Sequence, residues 1–176
     1  MKDYRILYRE AKGDLPRIYC DMDGVLADFM VASKKATGTT FTQDQSDKHW
    51  KTIRNTKNFW ANMPWMRDGK QLWNYIRKYN PHILSAYTIE DPNCKPGKMK
   101  WLRKNLGYTQ NFMINLVRRR EKKDFAMKSS DDKRQPAILI DDYPKNVDQF
   151  KAAGGIGILH TLSLIHISEP TRPLYI

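Results

Sequence analysis

The stretch IYCDMDGVLADF, residues 18 to 29, decides the fold prediction, because a short apolar run leads directly into a group of acidic residues. The run is typical of a buried strand, and Asp21, Asp23 and Asp28 follow within eight residues. Neighbouring carboxylates repel each other, and at the end of a buried strand they also lose hydration. The arrangement therefore needs something that compensates the repulsion.

Short apolar runs alternate with helical patterns along the rest of the chain. We predict strands at residues 17–22, 82–88, 111–117, 137–142 and 156–159, and helices at 68–79, 98–107 and 146–155. Residues 30–58 are helix-compatible with a turn at Gly38, and FWANMPWM (59–66) is a dense aromatic patch. This alternation predicts an α/β domain with a mainly parallel sheet.

A second pair of carboxylates, Asp141 and Asp142, ends the strand predicted at 137–142. Ligands of open parallel sheets bind at the carboxyl ends of the strands, so both acidic pairs meet if their strands are neighbours. A hard divalent cation such as Mg²⁺ makes that convergence favourable. An EF-hand calcium loop is excluded because Gly24 is fourth in DMDGVLAD, not sixth. A surface acidic turn is disfavoured because the second pair follows an equally apolar strand.

Composition narrows the class of protein. The chain has 176 residues, a formal net charge of +12, no apolar run long enough to span a membrane and no signal-peptide pattern. These features predict one soluble intracellular domain. Two cysteines make neither a disulfide framework nor a zinc site; we expect Cys20 to be buried and Cys94 to lie in a loop. Basic charge suits nucleic acid or small phosphorylated substrates, but the mixed run at 118–134 is more typical of a solvated face.

Four segments carry a resemblance to a known family. DMDGVLAD, Ser85 at the end of HILSAYT, a downstream lysine and IDDYPKN resemble, in order and in strand-end placement, the four motifs of the haloacid-dehalogenase (HAD) superfamily. The likeness extends over residues 17–160. Within the superfamily, DMDGVLADF and the spacing of Ser85 and Lys98 are most similar to 5'(3')-deoxyribonucleotidases and their short bacteriophage-type relatives.

The resemblance implies a domain organisation. It predicts a three-layer Rossmann-like HAD core, built from residues 17–29 and 70–160, with a parallel sheet. A small helical cap at 30–69 is inserted after the first motif, and residues 1–16 form an N-terminal extension. The string LSLIHISEPTR and the PLYI after it resemble a translated sequencing adapter, so we expect residues 161–176 to be a non-native tail.

The resemblance also implies catalytic roles. Asp21 is the nucleophile that forms an aspartyl-phosphate, and Asp23 is the general acid and base, a residue that favours a phosphatase over a dehalogenase. The Mg²⁺ ligands are Asp21, the backbone carbonyl of Asp23, and the pair Asp141 and Asp142, with Asp142 favoured as the direct ligand.

Further residues are implied to bind the phosphoryl group or the substrate. Ser85 donates a hydrogen bond to a phosphoryl oxygen, and Lys98 and Lys123 offset its charge, with Lys122 as the alternative to Lys123. Substrate contacts are implied for Gly24, Phe29, Ser85, Ala86 and Trp60. Trp50, Phe59 and Trp65 are further stacking candidates, although aromatic residues at this spacing are more typical of a core.

The predicted function is therefore a Mg²⁺-dependent phosphatase for (deoxy)nucleoside monophosphates. One alternative is a polynucleotide end phosphatase, which the basic charge favours; another is a non-catalytic nucleic-acid-binding protein on the same fold. A small nucleotide is the favoured partner and nucleic acid the less favoured one, without a membrane. We expect a cytoplasmic location, or the host-cell cytoplasm if the protein is virus-encoded. The oligomeric state stays open, a homodimer included.

Overall fold

The computed structural model describes residues 15–40, 47–108, 113–129 and 135–161, and its strands form one parallel sheet. The strands are β1 Ile18–Cys20, β2 His82–Ala86, β3 Ile114–Val117, β4 Ile138–Asp141 and β5 Ile156–Leu159. Their spatial order is β3-β2-β1-β4-β5. In the centre, β1 pairs with β2 on one side and with β4 on the other, with Cys20 opposite Ile140. The two strands that lead into the acidic pairs are therefore neighbours, which is the condition for the pairs to meet.

Helices connect the strands. They are α1 Phe29–Thr37, α2 Asp47–Asn55, α3 Gly69–Ile76, α4 Cys94–Leu106 and α5 Pro144–Ala152, with 3₁₀ segments at Arg77–Tyr79 and Arg119–Phe125. The local sequence explains the ends of α1. The Asp28 carboxylate accepts a hydrogen bond from the Val31 N–H at 2.8 Å, and Gly38 closes the helix in the left-handed conformation.

The alternation of side chains along each strand builds a layer on either face of the sheet. Tyr19 and Leu139 point to one face, where they pack with Phe150 of α5. Cys20 points to the other face, where the larger part of the core contains Trp101 of α4. The result is a sheet between two helical layers, which confirms the predicted α/β fold class.

Some element boundaries differ from the prediction. Helix α4 begins at Cys94 and not at Lys98, so Cys94 is a buried helical residue and the expected loop position was wrong. The PG pair at 96–97 suggested a break, but proline is tolerated in the first helical turn, where its missing N–H is not needed. Helix α5 ends after Ala153 in a Schellman motif: Gly154 has φ of 95° and its N–H donates to the Lys151 carbonyl, and the Gly155 N–H donates to the Phe150 carbonyl, so glycines cap this helix.

Parts of the predicted organisation lie outside the described residues. These are residues 1–14 of the N-terminal extension, 41–46 of the cap, 109–112 and 130–134 of the core, and 162–176 of the tail; the start of the strand predicted at 111–117 and the end of the mixed run 118–134 are among them. Among the helices in the described ranges, none has both the length and the apolar character that crossing a bilayer requires.

Candidate active site

The two acidic pairs meet at the carboxyl edge of the sheet. Asp21 follows β1 directly, and its backbone N–H donates to the Ile140 carbonyl of β4 at 2.9 Å. This bond brings Asp21 beside Asp141 at the end of β4. Carboxylate oxygens of Asp21, Asp141 and Asp142 all lie within 4.8 Å of one another. The strand order thus places carboxylates from two distant segments at one point.

A tight turn at Gly24 closes one side of this cluster. Gly24 has φ of 75°, and a Cβ atom built there would lie 2.0 Å from Asp142 Oδ2. The Leu26 and Ala27 N–H groups both donate to the Met22 carbonyl at 2.8 Å, which fixes the turn. Glycine is required twice, once by the backbone conformation and once by the close approach of the Asp142 carboxylate.

Lys122 provides a buried positive charge between two of the carboxylates. Its Nζ lies 2.6 Å from Asp21 Oδ2 and 2.6 Å from Asp141 Oδ2, and its side chain is 2% exposed. Lys123, which we predicted for this role, is exposed. The structure therefore corrects that choice: Lys122 is the lysine among the carboxylates. With about three residues per 3₁₀ turn, adjacent lysines point in different directions, and only one of them faces the sheet.

Lys98 provides a second buried positive charge on the other side of the cluster. From α4 its Nζ reaches Asp23 Oδ2 at 2.6 Å and Ser85 Oγ at 3.1 Å, and it also donates to the Ala86 carbonyl. Its side chain is fully buried. The structure thus brings together four residues that the sequence motifs singled out: Asp23, Ser85, Ala86 and Lys98.

The two carboxyl groups of the first motif differ in acidity. Burial alone would raise the pKa of Asp21, but Lys122 and Lys98, with hydrogen bonds from Lys122 and Ser85, hold that pKa below its ordinary value. Burial raises the pKa of Asp23, and Asp21 adds to the rise, while Lys98 only partly opposes it. Such a divergence separates a carboxylate that stays ionised from one that carries a proton more readily.

Asp141 and Asp142 also differ in their surroundings. Asp141 is fully buried, and both of its oxygens accept hydrogen bonds from protein groups: Lys122 at 2.6 Å, Asn146 at 3.0 Å and the Tyr143 N–H at 2.9 Å. Asp142 is exposed as a residue, yet partial desolvation of its carboxyl group, then Asp21 and Asp141, raises its pKa to about 7. Asp142 is therefore the carboxylate better placed to meet a ligand from solvent.

Asn146 is a site residue that the sequence reasoning missed. Its Nδ2 donates to both oxygens of Asp141 at 3.0 Å, and its side chain is buried in the first turn of α5. Its position at the end of IDDYPKN, five residues after Asp141, is the signal that could have indicated it. It orients the carboxylate that in turn holds Lys122.

Phe29 and Trp60, the predicted substrate-contacting aromatic residues, stack on each other, and Trp60 lies beside Lys98. Their rings stack with centroids 5.8 Å apart, and the Lys98 ammonium lies 5.3 Å from the Trp60 ring. Trp60 is 4% exposed, and its indole N–H donates to the buried Asp91 carboxylate at 2.7 Å. Trp60 is thus part of the packed core, whereas Phe29 is half-buried.

Two further indoles fasten the aromatic segment, residues 59–66, to α4. Trp101 Nε1 donates to the Met63 carbonyl at 2.7 Å, and Trp65 Nε1 donates to Asn105 Oδ1 at 3.1 Å. The Trp65 and Trp101 rings themselves have centroids 4.9 Å apart. Since α4 carries Lys98, the aromatic segment and the buried lysine are parts of one packed unit.

The donor set suits a hard cation. Asp21, Asp141 and Asp142 offer only oxygen atoms, which Mg²⁺ prefers, at a mutual spacing that one ion can bridge. The Oδ1 atom of Asp23 is buried and has no hydrogen-bond partner among the described residues, so the site has an unsatisfied oxygen at the same edge. The residues present therefore fit a divalent metal ion.

Comparisons with known proteins support the fold. No protein-family model and no curated protein matches the chain. Among solved structures, one described as Mycobacterium tuberculosis Protein Tyrosine Kinase A is similar with a TM-score of 0.51, 16% identity, and coverage of 91% of this chain and 93% of that one. This similarity shows a shared fold.

Two further solved structures are similar at lower TM-scores. A hydrolase from Streptococcus pneumoniae TIGR4 has a TM-score of 0.49 and 14% identity, covering 83% of this chain and 93% of that one. A HAD hydrolase, family IA, variant 3, from Entamoeba histolytica has a TM-score of 0.49 and 13% identity, covering 85% and 86%.

Proposed function

We propose that the protein is a Mg²⁺-dependent phosphatase of the HAD superfamily that hydrolyses (deoxy)nucleoside monophosphates through an aspartyl-phosphate on Asp21. The observation that carries the proposal is the pairing of two unlike carboxyl groups at one strand end. Asp21 is kept ionised by Lys122, and Asp23 has a raised pKa. A nucleophile needs the first property and a general acid needs the second.

The reaction follows from these two states. The Asp21 carboxylate attacks phosphorus, a new O–P bond forms, and the bond from phosphorus to the leaving oxygen breaks. Asp23 gives its proton to that oxygen. In the second half, Asp23 takes a proton from water as the water attacks the aspartyl-phosphate, which releases phosphate and restores Asp21.

The two lysines have different tasks in this scheme. Lys122 stabilises ionised Asp21 and is itself held by Asp141. Lys98 contacts Asp23, Ser85 and the Ala86 carbonyl, so it orients the general acid and brings positive charge to the strand end where Ser85 would meet a phosphoryl oxygen.

Asp21, Asp142 and the backbone carbonyl of Asp23 are the groups that would hold Mg²⁺, with Asp141 behind them. When bound, the ion supplies positive charge to the phosphoryl oxygens and offsets the repulsion between the carboxylates. Asp141 is less suited to direct binding because Lys122, Asn146 and the Tyr143 N–H already donate to its oxygens.

The nucleotide substrate is supported by two features. Phe29 is half-buried, begins the helix directly after the first motif, and could present a ring edge to a base. The motif DMDGVLADF that contains it is the part of the chain most similar to deoxyribonucleotidases. Preference for deoxyribose rests on that similarity alone.

A phosphatase screen with and without Mg²⁺ tests the proposal. We expect turnover of nucleoside monophosphates that EDTA abolishes, and an Asp21→Asn protein that folds but is inactive. Asp28→Asn is the matched control, because the Asp28 carboxylate accepts a hydrogen bond from the Val31 N–H of α1 and asparagine also caps a helix. Full activity of Asp21→Asn would contradict the assignment. Salt-sensitive nucleic-acid binding without turnover of any ester would favour the alternative of a non-catalytic nucleic-acid-binding protein.

A further inference from the structure

Three consecutive arginines, Arg118 to Arg120, lie at the same sheet edge as the candidate active site, and the chemistry above gives them no task. They follow β3 directly, whose last residue Val117 is paired with Ala86 of β2. All three are exposed. Because the sheet is parallel, the carboxyl end of β3 is on the side of the sheet where Asp21 and Ser85 lie.

Arg119 has a defined position in this group. Its guanidinium carbon lies 4.9 Å from the centre of the Tyr143 ring. The Tyr143 N–H donates to Asp141 Oδ1 at 2.9 Å, and Arg119 begins the 3₁₀ segment that carries Lys122. Arg119 and its aromatic partner are therefore both connected to the buried cluster. A guanidinium placed over a ring keeps N–H groups available for an anion, and its planar shape suits a phosphate.

The charge balance explains why such a group would matter. Lys98, Lys122 and a bound divalent cation would together supply four positive charges, against the three negative charges of Asp21, Asp141 and Asp142 when Asp23 is protonated as the general acid. The reaction centre then has one surplus positive charge, fewer than the two negative charges of an incoming phosphate dianion. Most of the chain's excess positive charge therefore lies outside the reaction centre. Arg118 to Arg120, which end two residues before Lys122, are a dense part of this excess.

Glu121 reduces this surplus only in part. Its carboxylate accepts a hydrogen bond from the Arg118 N–H at 2.8 Å, so it lies against the first arginine of the three. This contact is to a backbone N–H, and Arg119 and Arg120 are both exposed as residues. The run 118–134 as a whole mixes both signs, as a solvated face does, but within it the three arginines are adjacent, and a bound anion would offset the repulsion between their like charges.

We propose that Arg119 and Arg120, together with Tyr143, bind a second phosphate of the substrate. The preferred substrates are then phosphate monoesters whose leaving group carries a further phosphate, as in a nucleoside 3',5'-bisphosphate or the 5' end of a short oligonucleotide. The inference rests on the proposed function for the phosphate that reacts at Asp21. It adds Arg119, Arg120 and Tyr143 as residues that determine which substrates are preferred.

Binding measured without turnover tests the proposed phosphate site at Arg119 and Arg120 separately from catalysis. In Asp21→Asn protein with Mg²⁺, calorimetry should show thymidine 3',5'-bisphosphate binding roughly tenfold more tightly than thymidine 5'-monophosphate, as expected for a charge-assisted contact. Adding Arg119→Ala and Arg120→Ala should remove that preference. Arg77→Ala should keep it, because Arg77 is exposed at the opposite edge, before β2 begins.

Turnover by the full chain separates the two proposals. The double arginine variant should lose about tenfold in kcat/KM on the bisphosphate, mainly through KM, and less than about twofold on p-nitrophenyl phosphate, which has no second phosphate. A 5'-phosphorylated dinucleotide, used in parallel, tells a small bisphosphate from an oligonucleotide end. Equal affinity for the two thymidine ligands, or a preference that survives the double substitution, would overturn the inference. Tighter binding of the bisphosphate without hydrolysis of any ester would support the phosphate site at Arg119 and Arg120 and refute the proposed phosphatase function.

Discussion

Replacing Lys122 by methionine is the most informative perturbation of the buried cluster. The substitution keeps most of the apolar volume and removes the charge that lies 2.6 Å from Asp21 and 2.6 Å from Asp141. The lysine side chain is 2% exposed and those carboxylates are 8% and 0% exposed, so water cannot replace the ammonium group. Removing one partner of a buried ion pair destabilises a protein by roughly 3–5 kcal/mol.

That loss is large against the roughly 5–15 kcal/mol that stabilises a typical domain. It should also depend on pH. Lys122 holds the pKa of Asp21 below its ordinary value, so the stabilisation is present above that ordinary pKa and is lost as pH falls through the lowered one. The difference between wild type and variant should therefore be full at about pH 7 and smaller at about pH 3, below the ordinary pKa of Asp21.

Urea unfolding in EDTA at both pH values measures this effect. Lys123→Met is the matched control: the adjacent lysine is exposed, so its replacement should change stability by less than about 0.5 kcal/mol. Phosphatase activity of Lys122→Met at neutral pH should fall more than about tenfold, because Asp21 is then less readily ionised. Equal destabilisation by Lys122→Met and Lys123→Met, or a loss of stability that does not depend on pH, would refute the assigned role of Lys122 in stabilising ionised Asp21.

Three further substitutions test neighbouring parts of the site. Gly24→Ala should weaken Mg²⁺ binding, measured by calorimetry, because the new Cβ would lie 2.0 Å from Asp142 Oδ2. Gly38→Ala is its control, since φ there is 76° and nothing lies within 4 Å; equal effects on metal binding would contradict the clash. Asp142→Asn should raise the melting temperature of the metal-free protein at about pH 8 but hardly at about pH 4. The pKa of Asp142 is raised to about 7, so its ionised form destabilises the fold, and this cost is present only at the higher pH. A larger rise in melting temperature at about pH 4 would contradict this explanation. Asn146→Ala should cost roughly 1.5–3 kcal/mol in urea unfolding, since its amide donates to both oxygens of Asp141; an unchanged midpoint would show that these bonds contribute nothing.

The sequence was sufficient to predict the sheet and the meeting of the acidic pairs. Apolar runs that end in Asp21 and in Asp141 leave few alternatives once strands and helices alternate, because parallel neighbours end at one edge. Lys98 and Ser85 were predicted from the resemblance to the HAD motifs, and the structure places them in contact.

Other features were out of reach because they depend on tertiary geometry. The choice between Lys122 and Lys123 depends on the phase of a short 3₁₀ segment, which hydrophobic periodicity cannot determine in so charged a run. Asn146 is the last residue of IDDYPKN and lies in the first turn of α5, and nothing in its residue type distinguishes it from a surface asparagine. The start of α4 was misplaced because proline and glycine at 96–97 are breakers in most contexts but not in a first turn.

The tryptophan contacts give this protein a built-in optical reporter. Trp60 lies against the ammonium of Lys98, and Trp101 belongs to the same helix and holds the Met63 carbonyl. Loosening of the aromatic segment must change the surroundings of these indoles and release the helix that aims the lysine at Asp23. Intrinsic fluorescence during gradual denaturation should therefore shift in step with the decline of catalysis, and not after it.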